Sequence, residues 1–192
     1  MNNKFNTNFL EEYLDESIRI AKYQKTLKNK IIKLSENLLA ALNSGNKIMF
    51  CGNGGSASDS QHAAAEFVGR FKLDRKPMAA IALTTDTSII TSIGNDYGYD
   101  QVFSKQVEAL GKPGDYLIGI TTSGKSKNII SALSYAKKNK INTVALTGDN
   151  IEDIKDFADL IISIPSKETG VVQQAHITVL QLVAGLIEEI QN

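Results

Sequence analysis

Five short apolar runs divide this chain, and their character limits the fold more than any other feature. They lie at residues 47–51 (KIMFC), 77–83, 116–120, 142–147 and 159–164, and they lack the polar alternation of a half-exposed strand. A strand with one solvated face repeats with period two, so runs of this kind belong to strands covered on both faces. The segments between them are helical in pattern or long enough to cross over, which parallel strands require. The sequence therefore predicts an α/β fold: a five-stranded parallel sheet with helices on both faces.

Helical segments flank this alternating region. From about residue 9 to 43 there is no proline or glycine, and Leu27, Ile31, Leu34, Leu38 and Leu42 recur at helical spacing with Lys and Glu between them. That is the mark of one or two long amphipathic helices, stopped by Gly45 and Asn46 before the first strand. The stripe has no obvious partner in a compact sheet domain, so packing against other copies of the chain is its expected use. Residues 168–190 return to helical spacing through Val172, His176, Val179, Val183, Leu186 and Ile190. No repeat, low-complexity tract or linker divides the chain. The expectation is a single domain over 1–192, with 1–45 a helical segment that packs in the oligomer.

At 192 residues and 20.9 kDa the chain can bury a core without disulfides or metals. Its 21 basic and 21 acidic side chains cancel, so no long-range field draws polyanions and binding of nucleic acid by bulk charge is disfavoured. Any anion must be captured locally. Cys51 has no second cysteine to pair with, and the start MNNKFNTNFLEE lacks the basic and then apolar segments of a signal peptide. The most apolar long stretch, residues 177–187, is shorter than the roughly 20 residues of a membrane helix. A soluble, reducing cytoplasm is the expected setting.

In open parallel sheets, ligands collect at the carboxyl ends of the strands. Two such ends carry glycine- and hydroxyl-rich loops: CGNGGSASDS (51–60) after the first run and TTSGKS (121–126) after the third, each leading into a helical segment. Gly52, Gly54 and Gly55 let backbone approach a ligand, and N–H groups at a helix start favour an anion. Ser56, Thr121, Thr122, Ser123 and Ser126 add hydroxyls, and Lys125 is a further candidate contact. Together they describe a phosphate cradle. Neither loop has the G-x-G-x-x-G or G-x-x-x-x-G-K-[ST] spacing, which disfavours NAD and ATP. The plain alternative for either loop is a glycine turn with a serine helix cap.

His62 and Glu66 lie four residues apart on one face of the helix after the first loop, where they could share a proton transfer or bind a divalent metal. An ordinary exposed helix pair is the alternative. Asn95 and Asp96, within IGNDYGYD, read as a glycine-flanked turn with an Asx hydrogen bond. On the last helix, Gln173 and His176 are i,i+3 neighbours, and His176 reads first as a hydrogen-bonded core residue.

The segments CGNGGSASDSQHAAAEFVGRF (51–71), ALTTDTSIITSIGNDYG (82–98) and GDYLIGITTSGKSKNII (114–130) resemble the sugar isomerase (SIS) domain family, and within it the phosphoheptose isomerases. The likeness runs from about residue 25 to the C-terminus. It implies a flavodoxin-like doubly covered sheet and a cytoplasmic homotetramer whose neighbouring subunits contribute to the active site. The implied reaction converts sedoheptulose 7-phosphate to D-glycero-D-manno-heptose 7-phosphate for surface heptose, as in lipopolysaccharide. Implied substrate contacts are Asn53, Gly54, Gly55, Ser56, Glu66, Asn95, Asp96, Thr121, Thr122, Ser123, Ser126 and Gln173. Glu66 would be the catalytic base that moves a proton between C1 and C2 through an enediol, with His62 beside it.

In family members that hold one zinc per subunit, the ligands would fall at His62, Glu66, Gln173 and a histidine at position 181. Here that position is Gln181, which hydrogen-bonds but carries no proton at neutral pH. Val171 also replaces an arginine and Gln174 a glutamate. His176 lies about 140° around the helix from residue 181, at 100° per residue, so it is no direct replacement. Two other expectations therefore stand beside the isomerase. One is a non-catalytic SIS protein that binds a sugar phosphate or, like DiaA, the replication initiator DnaA. The other is a general phosphosugar sensor without a protein partner.

Overall fold

The apolar runs become five parallel strands, β1 (Ile48–Gly52), β2 (Ala80–Ala82), β3 (Tyr116–Thr121), β4 (Asn142–Thr147) and β5 (Leu160–Ser163), hydrogen-bonded in the order β2-β1-β3-β4-β5. They are seen in a computed structural model that describes residues 7–191. The central register pairs Ile48 with Tyr116 and Gly52 with Ile120, and then Tyr116 with Asn142 and Thr121 with Thr147. β2 is shorter than its apolar run because the Met78 N–H, just before it, is taken by the Phe67 carbonyl.

Successive strand residues point to opposite faces, and both sets are apolar. Ile48, Phe50, Ile118, Ile120, Val144, Leu146 and Ile162 join one buried cluster. Met49, Cys51, Leu117 and Ala145 join the other. Burial pushes the Cys51 thiol far up, so it serves as core and not as a nucleophile. The crossovers are α3 (Gly55–Val68) after β1, α4 (Thr87–Tyr97) and α5 (Ser104–Leu110) after β2, and α6 (Lys127–Lys138) after β3. Between β4 and β5 there is only a 3₁₀ turn, Lys155–Phe157.

The N-terminal segment forms α1 (Thr7–Gln24) and α2 (Lys28–Asn43), broken by a 3₁₀ turn, and the last described element is α7 (Thr169–Gln191). Here one expectation is corrected. Leu27, Ile31, Leu34 and Leu38 pack inside their own chain, in one cluster with Phe50, Val179 and Val183, and Leu42 lies against it. The sheet face and α7 supply the partner that the sequence pattern left open. The most exposed apolar stripe of this segment belongs to α1, where Leu10, Leu14 and Ile18 recur one turn apart, each more than half exposed, while α2 leaves Ile32 at the surface.

α7 corrects another. It is long and apolar enough to cross a membrane by length and composition, against the shorter stretch expected. Ten of its residues are nevertheless buried in the fold. It runs beside α3 in the same direction: Gln173 lies against Gly55 at one end, and Gly185 against Phe71, just past α3, at the other.

Candidate active site

β1 and β3 are neighbours, but the chain leaves β1 toward β2 on one side and β3 toward β4 on the other. Loops that diverge in this way open a crevice at the carboxyl ends of the strands, where such sheets bind ligands. Both glycine-rich loops fall at this point.

Neither helix start is capped by a side chain: Gly54 precedes α3, and Ser126 precedes α6 without a capping hydrogen bond. The serine-cap reading therefore fails at both: no side-chain oxygen meets either positive helix end, although the Ser56 and Ala57 N–H groups turn back to the Asn53 and Gly54 carbonyls at 3.0 Å. Ser126 turns its hydroxyl instead to Thr121 Oγ1 at 3.0 Å, and Thr121 lies 3.4 Å from Ser123 Oγ. Ser123 also accepts the Lys125 N–H at 3.1 Å, while the Lys125 side chain is exposed. Three hydroxyls thus converge at the end of β3. Gly124 (φ +66°) makes this turn possible, since a Cβ there would overlap the Asn150 carbonyl. Thr122 is fixed through its carbonyl, which accepts the Gly148 N–H at 3.2 Å.

In the β1 loop, Ser56 is buried and Gly55 has no room for a side chain because the Gln173 carboxamide occupies that space. Asn53 Oδ1 accepts from Asn128 Nδ2 at 2.8 Å and from the Tyr99 hydroxyl at 3.2 Å, and its Nδ2 donates to Asn128 Oδ1 at 2.9 Å. Asn128 and Tyr99 were not marked by any sequence pattern.

His62 Nε2 and Glu66 Oε1 are 2.8 Å apart, with the His62 side chain half exposed and Glu66 mostly covered. One turn before His62, Asp59 has a buried Oδ2 without a hydrogen-bond partner. Burial pushes its carboxyl up to about 6, against the opposing pull of His62. The spacing of 59, 62 and 66 on one helix face was the signal that could have found it. The end of α3 is secured from outside the helix. Arg75 donates to the carbonyls of Glu66 at 2.5 Å and Phe67 at 2.8 Å, and pairs with Glu188 of α7 at 3.3 Å. Glu188 also accepts the N–H groups of Phe71 at 2.6 Å, Lys72 at 2.8 Å and Leu73 at 3.2 Å. Burial alone would raise the Glu188 carboxyl, but these donors and Arg75 hold it below the ordinary range.

Asn95 and Asp96 lie in the last turn of α4, not in the glycine-flanked turn expected, because the helix continues through Gly94 to Tyr97. Asn95 Nδ2 donates to Asp96 Oδ1 at 2.8 Å, both side chains are exposed, and neither hydrogen-bonds to the loops. His176 is the core residue its pattern indicated. It is fully buried, its Nε2 N–H meets the Thr147 carbonyl at 3.1 Å, and burial pushes its pKa down to about 4. Gln181 is half-buried, and Gln174 reaches the Tyr13 hydroxyl at 3.2 Å.

The residues assigned to zinc do not suit it. Within one chain Gln173 lies at Gly55 and Glu66 about 16 Å further along α3 by the helical rise, so the full set meets only between copies of the chain, and the fit turns on its donor atoms. The set would offer one imidazole and one carboxylate, completed only by amides, where zinc takes thiolate, imidazole or carboxylate. Among the described residues no cluster of three or more His, Cys, Asp or Glu is placed to hold a metal.

A family profile described as the SIS domain matches residues 12–148. The phosphoheptose isomerase of Maridesulfovibrio salexigens is 54% identical over 158 residues, which cover 82% of this chain and 77% of that one. Among solved structures, phosphoheptose isomerase GmhA from Neisseria gonorrhoeae is 41% identical with a TM-score of 0.89, covering 95% of this chain and 98% of that one. A phosphoheptose isomerase from Francisella tularensis is 32% identical with a TM-score of 0.91 and the same coverage.

Proposed function

Because this chain belongs to the SIS domain family, we propose that it is an aldose–ketose isomerase converting sedoheptulose 7-phosphate to D-glycero-D-manno-heptose 7-phosphate. The phosphate is taken by the hydroxyls of Thr121, Ser123 and Ser126 and by the uncapped starts of α3 and α6. Glu66 removes a proton from C1 as O2 gains one, giving a 1,2-enediol. Glu66 then returns its proton to C2 as O1 loses one, which leaves the aldehyde at C1. His62, bonded to Glu66, gives the proton to O2 and takes the one from O1, so none is gained or lost overall.

The observation that carries this reading is the His62–Glu66 pair at 2.8 Å, on the helix that starts at the β1 glycine loop. It is strengthened by relatives of this similarity that bear the isomerase name. A pure binding protein for DnaA, or a sensor, has no use for that pair, and we do not adopt either reading. We further infer a cytoplasmic homotetramer that supplies heptose phosphate for surface polysaccharide such as lipopolysaccharide. The exposed Leu10, Leu14 and Ile18 of α1 support self-association, and the separation of Gln173 from Glu66 supports a site completed by a second copy.

A coupled assay for heptose 7-phosphate tests the reaction. Purified protein is expected to turn over at least about 100-fold faster than its Glu66→Gln variant, the ordinary contribution of a general base. Turnover equal in the two proteins would overturn the assignment.

A further inference from the structure

The side chain of Asn53 is held more tightly than a loop asparagine needs to be. It faces Asn128 as one half of a reciprocal carboxamide pair, 2.9 Å in one direction and 2.8 Å in the other. A pair of this kind fixes the plane and the direction of both amides. The Tyr99 hydroxyl, on the 3₁₀ turn Tyr99–Gln101 after α4, donates to the same Asn53 oxygen at 3.2 Å. A carboxamide oxygen has two lone pairs. Both are occupied, and one of the two N–H donors of Asn53 is spent on Asn128, so what is left for a ligand is a single N–H.

The partners also matter by position. Asn53 ends the β1 side of the crevice, and Asn128 is the second residue of α6, buried at 3% exposure behind the hydroxyl loop. The pair therefore spans the switch point and sets how far the β1 loop stands from Thr121, Ser123 and Ser126. We propose that Asn128 and Tyr99 are positioning residues that lock Asn53 across this crevice and fix it as a hydrogen-bond donor to an oxygen of the ligand. This rests on the sugar-phosphate reading above, and it assigns a role to two residues outside the set that the family resemblance implies.

The test compares wild type, Asn128→Asp, Tyr99→Phe, Asn53→Ala and the Asn53→Ala/Asn128→Asp double variant. The dissociation constant for sedoheptulose 7-phosphate is measured by calorimetry and kcat separately. Asn128→Asp sets an acceptor against the Asn53 oxygen in either orientation of that amide and removes the donor that fixed it, so affinity falls by about 10-fold, the worth of one hydrogen bond to a ligand. Tyr99→Phe, at an exposed site that does not threaten folding, lowers affinity by about 3-fold on the same basis. In the Asn53→Ala background, Asn128→Asp changes affinity less than about 2-fold, because the effect passes through Asn53. Equal losses in both backgrounds, or unchanged affinity in Asn128→Asp and Tyr99→Phe, would overturn the assignment. Binding without turnover in wild type overturns the isomerase reading alone, and the affinity ratios still decide this one.

Discussion

His176 gives the core an acid-sensitive point whose size follows from its surroundings. The ring is fully buried, its Nε2 N–H is spent on the Thr147 carbonyl at 3.1 Å, and Nδ1 has no hydrogen-bond partner. Protonation would put a charge in the core with nothing opposite it, so burial holds the pKa at about 4 against an ordinary 6.5. As pH falls, the unfolded chain takes up this proton near 6.5 and the folded chain only near 4. Within that window the unfolded state binds more protons, so stability falls with pH, and the loss is complete below about pH 4. These two values give a loss of roughly 2 kcal/mol between pH 7.5 and pH 5. Asp59 acts with the opposite sign, because its carboxyl is raised to about 6 and acid relieves its burial as a charge. The measurement must therefore be a difference. His176→Gln retains an N–H donor for Thr147 and does not titrate, so urea unfolding of wild type and variant across this pH range isolates the ring. The stability of wild type relative to the variant is expected to drop by about 2 kcal/mol on going to pH 5. A difference that stays constant with pH would refute the burial argument.

Two further substitutions probe the contacts between α3 and α7. Gly55→Ala drives a methyl into the Gln173 carboxamide. Turnover in the coupled assay should fall by about 100-fold, from misplacement of the β1 loop, while the Gly55→Ala/Gln173→Ala double variant should recover the melting temperature. Glu188→Ala strips the carboxylate from a buried Arg75 and from the N–H groups of Phe71, Lys72 and Leu73. Chemical unfolding should show a loss of about 3–5 kcal/mol, and a loss under about 1 kcal/mol would show that the ion pair is not sealed from water.

The strands were legible because burial on both faces leaves uninterrupted apolar runs, and four of the five reappear within about two residues of their expected ends. The glycine loops were legible because Gly54 and Gly124 need positive φ, a local requirement that composition records. What the sequence could not reveal depends on partners distant along the chain. The α2 stripe has no partner nearby in the sequence because much of what covers it belongs to α7, more than a hundred residues later. Asn95 and Asp96 read as a turn because glycines flank them, yet α4 continues through Gly94, with only Gly98 (φ +90°) ending it. Asn128 lies inside the segment 114–130 that carries the family resemblance, but nothing in that segment singles it out: its part in the site arises from β1 and β3 being sheet neighbours, which no single segment encodes.

The substitution at 181 bears on where the proton chemistry resides. Because α3 and α7 run side by side, with Gly55 at Gln173 and Phe71 at Gly185, residue 181 falls at about the level of the last turns of α3, where Glu66 stands. A glutamine there can orient a hydroxyl but cannot exchange a proton. His176 does not compensate, since its one N–H is committed to Thr147 on the far side of that helix. Among the described residues, the titratable side chain hydrogen-bonded to Glu66 is His62, four residues earlier on the same helix. In the proposed reaction, the carbon and oxygen proton transfers then both belong to α3, the helix whose start opens on the phosphate crevice. α7 contributes an amide at Gln173 that holds the loop and a buried carboxylate at Glu188 that anchors the Arg75 clamp, which are roles of position and not of proton transfer.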